Sequence, residues 1–118
     1  MKVSFLISQY SNLKSDLSID YSGIGVVSTV ITFASGWTEA FILVKMDDTN
    51  VRTVSFHVCK VMLPASGKYN LVGGYYYSSA DCMSVQLSMN QSGIIAKVIT
   101  FGGQLLTNDQ TLIYVATR

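Results

Sequence analysis

The sequence predicts an all-β fold, an antiparallel, jelly-roll-like β-sandwich in a single domain spanning residues 1–118. Three observations carry that expectation. Extended segments rich in β-branched residues recur at regular spacing. Clusters of Gly, Ser, Asn and Asp separate them, and those residues form turns. No segment places apolar residues at the three-to-four spacing of an amphipathic helix. A chain of 118 residues can bury one core but not two, and no repeat or linker divides it.

The elements follow in order. Residues 3–8 read as a short strand and 11–16 as a polar loop. Residues 17–20 read as a brief strand, and Tyr21-Ser22-Gly23 as a turn. Residues 25–33 (GVVSTVITF) are dense in Val, Ile and Thr, which lose χ1 freedom in a helix and pack well on a pleated sheet. Ala34-Ser35-Gly36 ends that strand, and residues 38–46 (TEAFILVKM) form the next. Four consecutive apolar residues, Phe41 to Val44, predict burial on both faces, by the second sheet on one side and a neighbouring subunit on the other. Asp47-Asp48-Thr49-Asn50 suits a hairpin turn, because these side chains bond nearby backbone. Its partner strand, residues 51–62, puts Val54, Phe56 and Val58 on one face.

Pro64-Ala65-Ser66-Gly67 breaks the strand, and residues 69–77 resume an extended path through Gly73-Gly74. Two adjacent glycines allow either positive φ or close approach of another segment. Residues 78–81 form a loop. Residues 82–89 then alternate, with Met83, Val85, Leu87 and Met89 inward. Asn90-Gln91-Ser92-Gly93 turns the chain into a strand over 94–101. Gly102-Gly103 turns it again, and residues 110–117 make the closing strand.

Composition narrows the function classes. Hydrophobic residues are 49% of the chain and charged residues 13%, about half the usual charged share. Little charge is left to cover a monomer, which points to surface buried against other copies. The alternative is a sandwich whose outer faces use Ser, Thr, Asn and Gln instead. The net charge is +1 and the eight Lys and Arg residues are scattered, which argues against nucleic-acid binding through phosphates. No apolar stretch approaches the length of a membrane-spanning helix, so no membrane insertion is expected. The N-terminal apolar run is too short for a signal-peptide core. The expectation is a chain made in the cytosol that stays there, or leaves by lysis or within a particle. Without an export signal, Cys59 and Cys82 are expected as reduced, mostly buried thiols rather than a disulfide.

Catalytic signatures are missing from the pattern, and no enzyme is expected. His57 is the one imidazole, sits mid-strand, and reads as a packed or cross-strand histidine rather than a base. Glu39 could pair with Lys45 or with a neighbouring chain. Asp47, Asp48 and Asn50 come nearest to a calcium loop but lack its spacing, so neither metal nor cofactor is expected. The aromatic set is more telling. Trp37, Tyr75, Tyr76 and Tyr77 lie at strand beginnings or loops, with Ser78, Ser79 and Asp81 nearby. Flat rings beside short polar groups suit sugars, whose C–H faces stack on rings while hydroxyls take hydrogen bonds. Core and subunit packing is the competing use of the same tyrosines.

TEAFILVKM, the hairpin to VSFHV, the Pro-Ala-Ser-Gly loop, YNLVGGYYYSS and the terminal TLIYVATR together resemble a known group. They are similar to the C-terminal receptor-binding modules of tail fibres from tailed bacteriophages and prophages of Gram-positive bacteria. The resemblance covers residues 37–118 and includes no catalytic motif. It implies a β-sandwich head, homotrimeric, at the tip of a virion appendage, recognising a host cell-surface saccharide. Trp37, Tyr75, Tyr76, Tyr77 and Asp81 are then the candidate ligand contacts, the rings stacking and Asp81 accepting sugar hydroxyls. Such modules end longer chains with a fibrous shaft, and no shaft sequence is present here. The expectation is an excised domain or a small free-standing protein. The competing expectation is a cytosolic β-protein that binds a protein partner through an exposed strand edge.

Overall fold

Alternation in residues 53–59 produces the face it predicts. Val54 and Val58 are buried and Phe56 packs beside them, while Ser55 and His57 face away. The computed structural model describes residues 18–25, 30–46, 52–106 and 111–118. The described strands are β1 (Ser18–Gly25), β2 (Ile31–Thr32), β3 (Glu39–Lys45), β4 (Thr53–Cys59) and β5 (Tyr69–Tyr76). They continue with β6 (Cys82–Asn90), β7 (Gly93–Phe101), β8 (Gln104–Leu105) and β9 (Thr111–Thr117). Two antiparallel sheets result. The first runs β1-β9-β3-β4 and the second β2-β7-β6-β5, with β8 pairing the far end of β7. Successive strands β1, β2 and β3 alternate between the sheets, whereas the β3–β4 hairpin and the β5-β6-β7 meander each stay within one.

The sheets meet over Ile42, Val44, Ile113 and Val115 on one side and Val85, Leu87, Met89 and Ile99 on the other. Each of these is at most 1% exposed, so this layer is dry. With Met83, 3% exposed, the four inward residues expected on β6 are all in the core. Phe41 and Leu43 point to the opposite face of the first sheet, and they too are buried within the single chain. Burial of the Phe41–Val44 run on both faces therefore holds, but it needs no neighbouring subunit.

Several expected boundaries move. Tyr21-Ser22-Gly23 is no turn: it continues β1, with Gly23 opposite Ile113 after an irregularity between Ile19 and Tyr21. Pairing along the length of β9 overrides the local turn preference of Ser and Gly. The strand expected over 25–33 is divided, since Gly25 ends β1 in the first sheet and Ile31–Thr32 pair with β7 in the second. The strand expected over 51–62 stops at Cys59. A 3₁₀ turn, Lys60–Met62, follows, closed by the Leu63 amide donating to the Lys60 carbonyl. Leu63 is extended (φ −103, ψ 148), as a residue before proline must be. The strand expected over 3–8, the loop at 11–16 and the turn at 47–50 lie outside the described residues.

The glycine pair of β5 answers to close approach, not to positive φ. A Cβ on Gly73 would lie 3.0 Å from the Phe56 ring, where β4 crosses the edge of the second sheet. One on Gly74 would lie 2.4 Å from the Met83 carbonyl oxygen. Gly102 and Gly103 do the other job: φ of 60° and 81° make the two-residue turn from β7 to β8.

An extra residue, Ile95, sets the phase of β7. Met89 opposes Ile94 but Ser88 opposes Ala96, so the side chains beyond the bulge exchange faces. Lys97 thereby joins Leu87 and Ile99 on the inner face, 1% exposed. The outer face of this sheet carries the cross-strand rows Asn70–Ser88–Ala96, Val72–Gln86–Val98 and Gly74–Ser84–Thr100. None of these residues is charged.

Candidate functional site

Tyr75, Tyr76 and Tyr77 sit where β5 ends, and Asp81 sits just before β6 begins. The loop between them is tied by backbone bonds. The amides of Tyr77 and Ser78 both donate to the Asp81 carbonyl, at 3.0 and 3.1 Å. In return the Asp81 amide donates to the Ser78 carbonyl at 3.1 Å and to Ser78 Oγ at 3.0 Å. Such reciprocal bonding holds a short loop in one shape without a covalent link.

Side chains complete the cluster. The Tyr75 hydroxyl donates to Asp81 Oδ1 at 2.8 Å, and Arg52 Nε donates to the same oxygen at 3.2 Å. The Arg52 guanidinium also lies 5.9 Å from the centre of the Phe101 ring, within cation–π range. Burial, and then the bond to Asp81, push the Tyr75 hydroxyl up to about 12 from its ordinary 10.0. Tyr75 is therefore a structural post, half-buried and uncharged. Tyr76 and Tyr77 point the other way, 75% and 82% exposed. Tyr77 lies beyond the end of β5, which frees it from sharing a face with Tyr75.

Trp37 does not belong to this group. It is 4% exposed, edge-on to Phe33 at 4.8 Å, and donates from Nε1 to the Gln91 carbonyl at 2.8 Å. Gln91 occupies the turn at the far end of β6, so the length of that strand, on the order of 25 Å, separates Trp37 from Asp81. The expectation that Trp37 stacks on a ligand is corrected: its ring fills the core and its one donor is used. Gln91 organises this opposite end. Its side chain donates to the Lys60 and Leu63 carbonyls, and its amide to that of Pro64.

Arg52 is the member of the tyrosine cluster that the sequence reading missed. It lies 29 positions from Asp81, on the other sheet, and no spacing rule links the two. Only the crossing of β4 over β5 brings them together.

A second polar cluster occupies the first sheet at the Trp37 end. Glu39 accepts from His57 Nε2 at 2.8 Å and from Arg118 Nε at 2.9 Å, while His57 stacks on Phe41 with centroids 4.7 Å apart. The Arg118 hydrogen bond first, then that of His57, hold the Glu39 carboxyl below its usual range against a weaker opposing pull from burial. His57 is thus the cross-strand histidine expected. The partners of Glu39 are His57 and Arg118 rather than Lys45, which faces the same side at the far end of β3. Cys59 and Cys82 are free and half-buried at opposite ends of the sandwich, which closes the disulfide alternative. Among the described residues no group of three His, Cys, Asp or Glu could hold a metal ion. The calcium-like set Asp47, Asp48 and Asn50 lies outside them.

No family model matches this chain, and no curated protein and no solved structure shows a significant likeness to it.

Proposed function

We propose that this chain is a non-enzymatic adhesion module of a virion, the head of a phage tail fibre or receptor-binding protein that recognises a host cell-surface saccharide. One observation carries the reading: two adjacent tyrosines stand out from a braced loop, next to a carboxylate held by Tyr75 and Arg52. Exposed neighbouring rings are a poor use of apolar surface unless they meet something. Pyranose C–H faces stack on such rings, and the loop hydroxyls of Ser78 and Ser79 supply polar partners at their base. The reading retains Tyr76, Tyr77 and Asp81 as ligand contacts, makes Tyr75 their support, and drops Trp37. The pattern of segments over residues 37–118 that resembles phage receptor-binding modules implies the same class, with assembly into a homotrimer on the tail appendage after synthesis in the host cytoplasm.

The test is calorimetric titration of the protein with wall polysaccharide from Gram-positive cells, beside a Tyr76→Ser/Tyr77→Ser double variant. The expected result is binding by the parent chain and at least a tenfold loss in the variant, with an unchanged thermal melt. Equal binding by both would overturn the assignment.

A competing reading has one observation in its favour. β5 is the outermost strand of its sheet, and Val72 on it is 68% exposed. A partner strand could add there.

A further inference from the structure

The two sheets treat their outer faces differently. In the first sheet, Phe41, Leu43 and Tyr114 are covered within the chain. In the second, Val72 is 68% exposed, Val98 45% and Leu105 57%, all on one side of β5, β7 and β8. An outward face that meets only water ordinarily carries charge, and edge strands carry lysine to discourage pairing. This one has no Lys, Arg, Asp or Glu in any of its three cross-strand rows. Among the described residues the charged positions lie elsewhere or at its margin: Asp20, Glu39, Lys45 and Arg118 on the first sheet, Lys60 on the 3₁₀ turn, Arg52 and Asp81 at the tyrosine end, Lys97 turned inward, and Lys68 exposed just before β5 at the border of the face.

We infer that this outer face is where copies of the chain meet one another. An uncharged face is complementary to itself, since neither like-charge repulsion nor an unpaired buried ion opposes its closure. Its chemistry is that of an interface centre: Val72 and Val98 flank Gln86 in one row, and the polar pair beside them is already satisfied, Ser88 Oγ donating to Asn70 Oδ1 at 2.8 Å. The area suffices. Three strands of eight, nine and nine residues about 4.8 Å apart, with the two-residue β2 and β8 beyond β7, make a footprint of about 500 Å² per copy, or about 1,000 Å² for a contact, the lower bound for a specific interface. Ile95 is what allows this. Without that bulge Lys97 would project from the middle of the face.

The inference goes beyond the proposed function, since one face meeting the same face of another copy makes a two-fold contact rather than the three-fold one of a homotrimer, and it is separable from saccharide recognition. A chain that assembles through this face and binds no glycan would end the recognition reading and leave this one standing.

Sedimentation velocity over a concentration series tests it, with Val72→Lys/Val98→Lys as the disrupting variant and Val61→Lys as the control. Val61 is 91% exposed on the 3₁₀ turn, away from the face. The expected result is an oligomer for the parent chain and the control, and a folded monomer for the double variant by far-ultraviolet dichroism. If the double lysine variant fails to fold, Gln86→Lys at the centre of the row asks the same question with one change, and at least a tenfold weaker association is expected. A monomeric parent chain, an oligomeric Gln86→Lys or Val72→Lys/Val98→Lys protein, or equal loss of assembly in the control would each overturn the inference.

Discussion

Tyr75 donates its hydroxyl hydrogen to Asp81 at 2.8 Å, joining the end of β5 to the residue before β6 beside the exposed Tyr76 and Tyr77. The acceptor oxygen also takes Arg52 from the other sheet. One carboxylate therefore ties both ends of the β5–β6 loop to an arginine 29 positions away.

That relationship is open to a double-mutant cycle. Tyr75→Phe removes one hydrogen bond and leaves Asp81 with Arg52, so a loss of about 1 kcal/mol is expected by urea denaturation. Asp81→Ala removes both side-chain bonds and should cost about 2 kcal/mol. The double variant should cost no more than Asp81→Ala alone, giving a coupling of about 1 kcal/mol. Full additivity would show that the hydroxyl and carboxylate do not act as a pair.

Gly74→Ala is expected to be among the most damaging changes in the second sheet. The new methyl carbon would stand 2.4 Å from a backbone oxygen, which cannot turn aside as a side chain can. A loss of roughly 3 kcal/mol or failure to accumulate soluble protein is expected. Gly73→Ala meets the Phe56 ring at 3.0 Å instead, and Phe56→Leu in the same chain should recover part of the loss. Thermal melts of the three variants decide it.

Thr53 Oγ1 is buried without a hydrogen-bond partner. Thr53→Val keeps the shape and removes an oxygen that gave up its water on folding. The protein should gain about 1 kcal/mol, read as a raised denaturation midpoint with an unchanged slope. A destabilised variant would mean the hydroxyl is satisfied in solution.

Stability should pass through a maximum near pH 10. Burial pushes Lys97 down to about 8 from its ordinary 10.5. Below pH 8 both states carry the proton and the cost of burying the charge is fully present. Between about 8 and 10.5 the folded state sheds the proton first, and stability rises by about 1 kcal/mol per pH unit. Tyr75 acts oppositely: held up to about 12, it keeps its proton while the unfolded chain loses its own above 10.0, so stability falls from there. Lys97→Met should abolish the rise and leave the fall, as measured by urea midpoints across the range.

Strand character and face were legible wherever side chains alternate without interruption. Residues 53–58 and 82–89 carry that pattern, and both face as expected, because a pleated strand offers only two sides and the core takes the apolar one. The pattern failed where pairing partners override local preference. Tyr21-Ser22-Gly23 has turn composition, yet β9 holds it extended. The site was legible in part. A run of tyrosines near short polar residues marked the right loop, but nothing local distinguishes the half-buried Tyr75 from the exposed Tyr76 and Tyr77.

By itself, then, the sequence determined the class of fold, the β3–β4 and β6–β7 hairpins and the tyrosine loop, since periodicity and turn chemistry act between near neighbours. The tertiary structure alone decided what depends on packing between the sheets. The crossing of β4 over β5 chose glycine at position 73 and brought Arg52 to Asp81. The dry layer took Trp37 away from the tyrosines. One extra residue at Ile95 turned Lys97 inward and left an uncharged sheet face outside, a choice made by strand register, which no local pattern encodes.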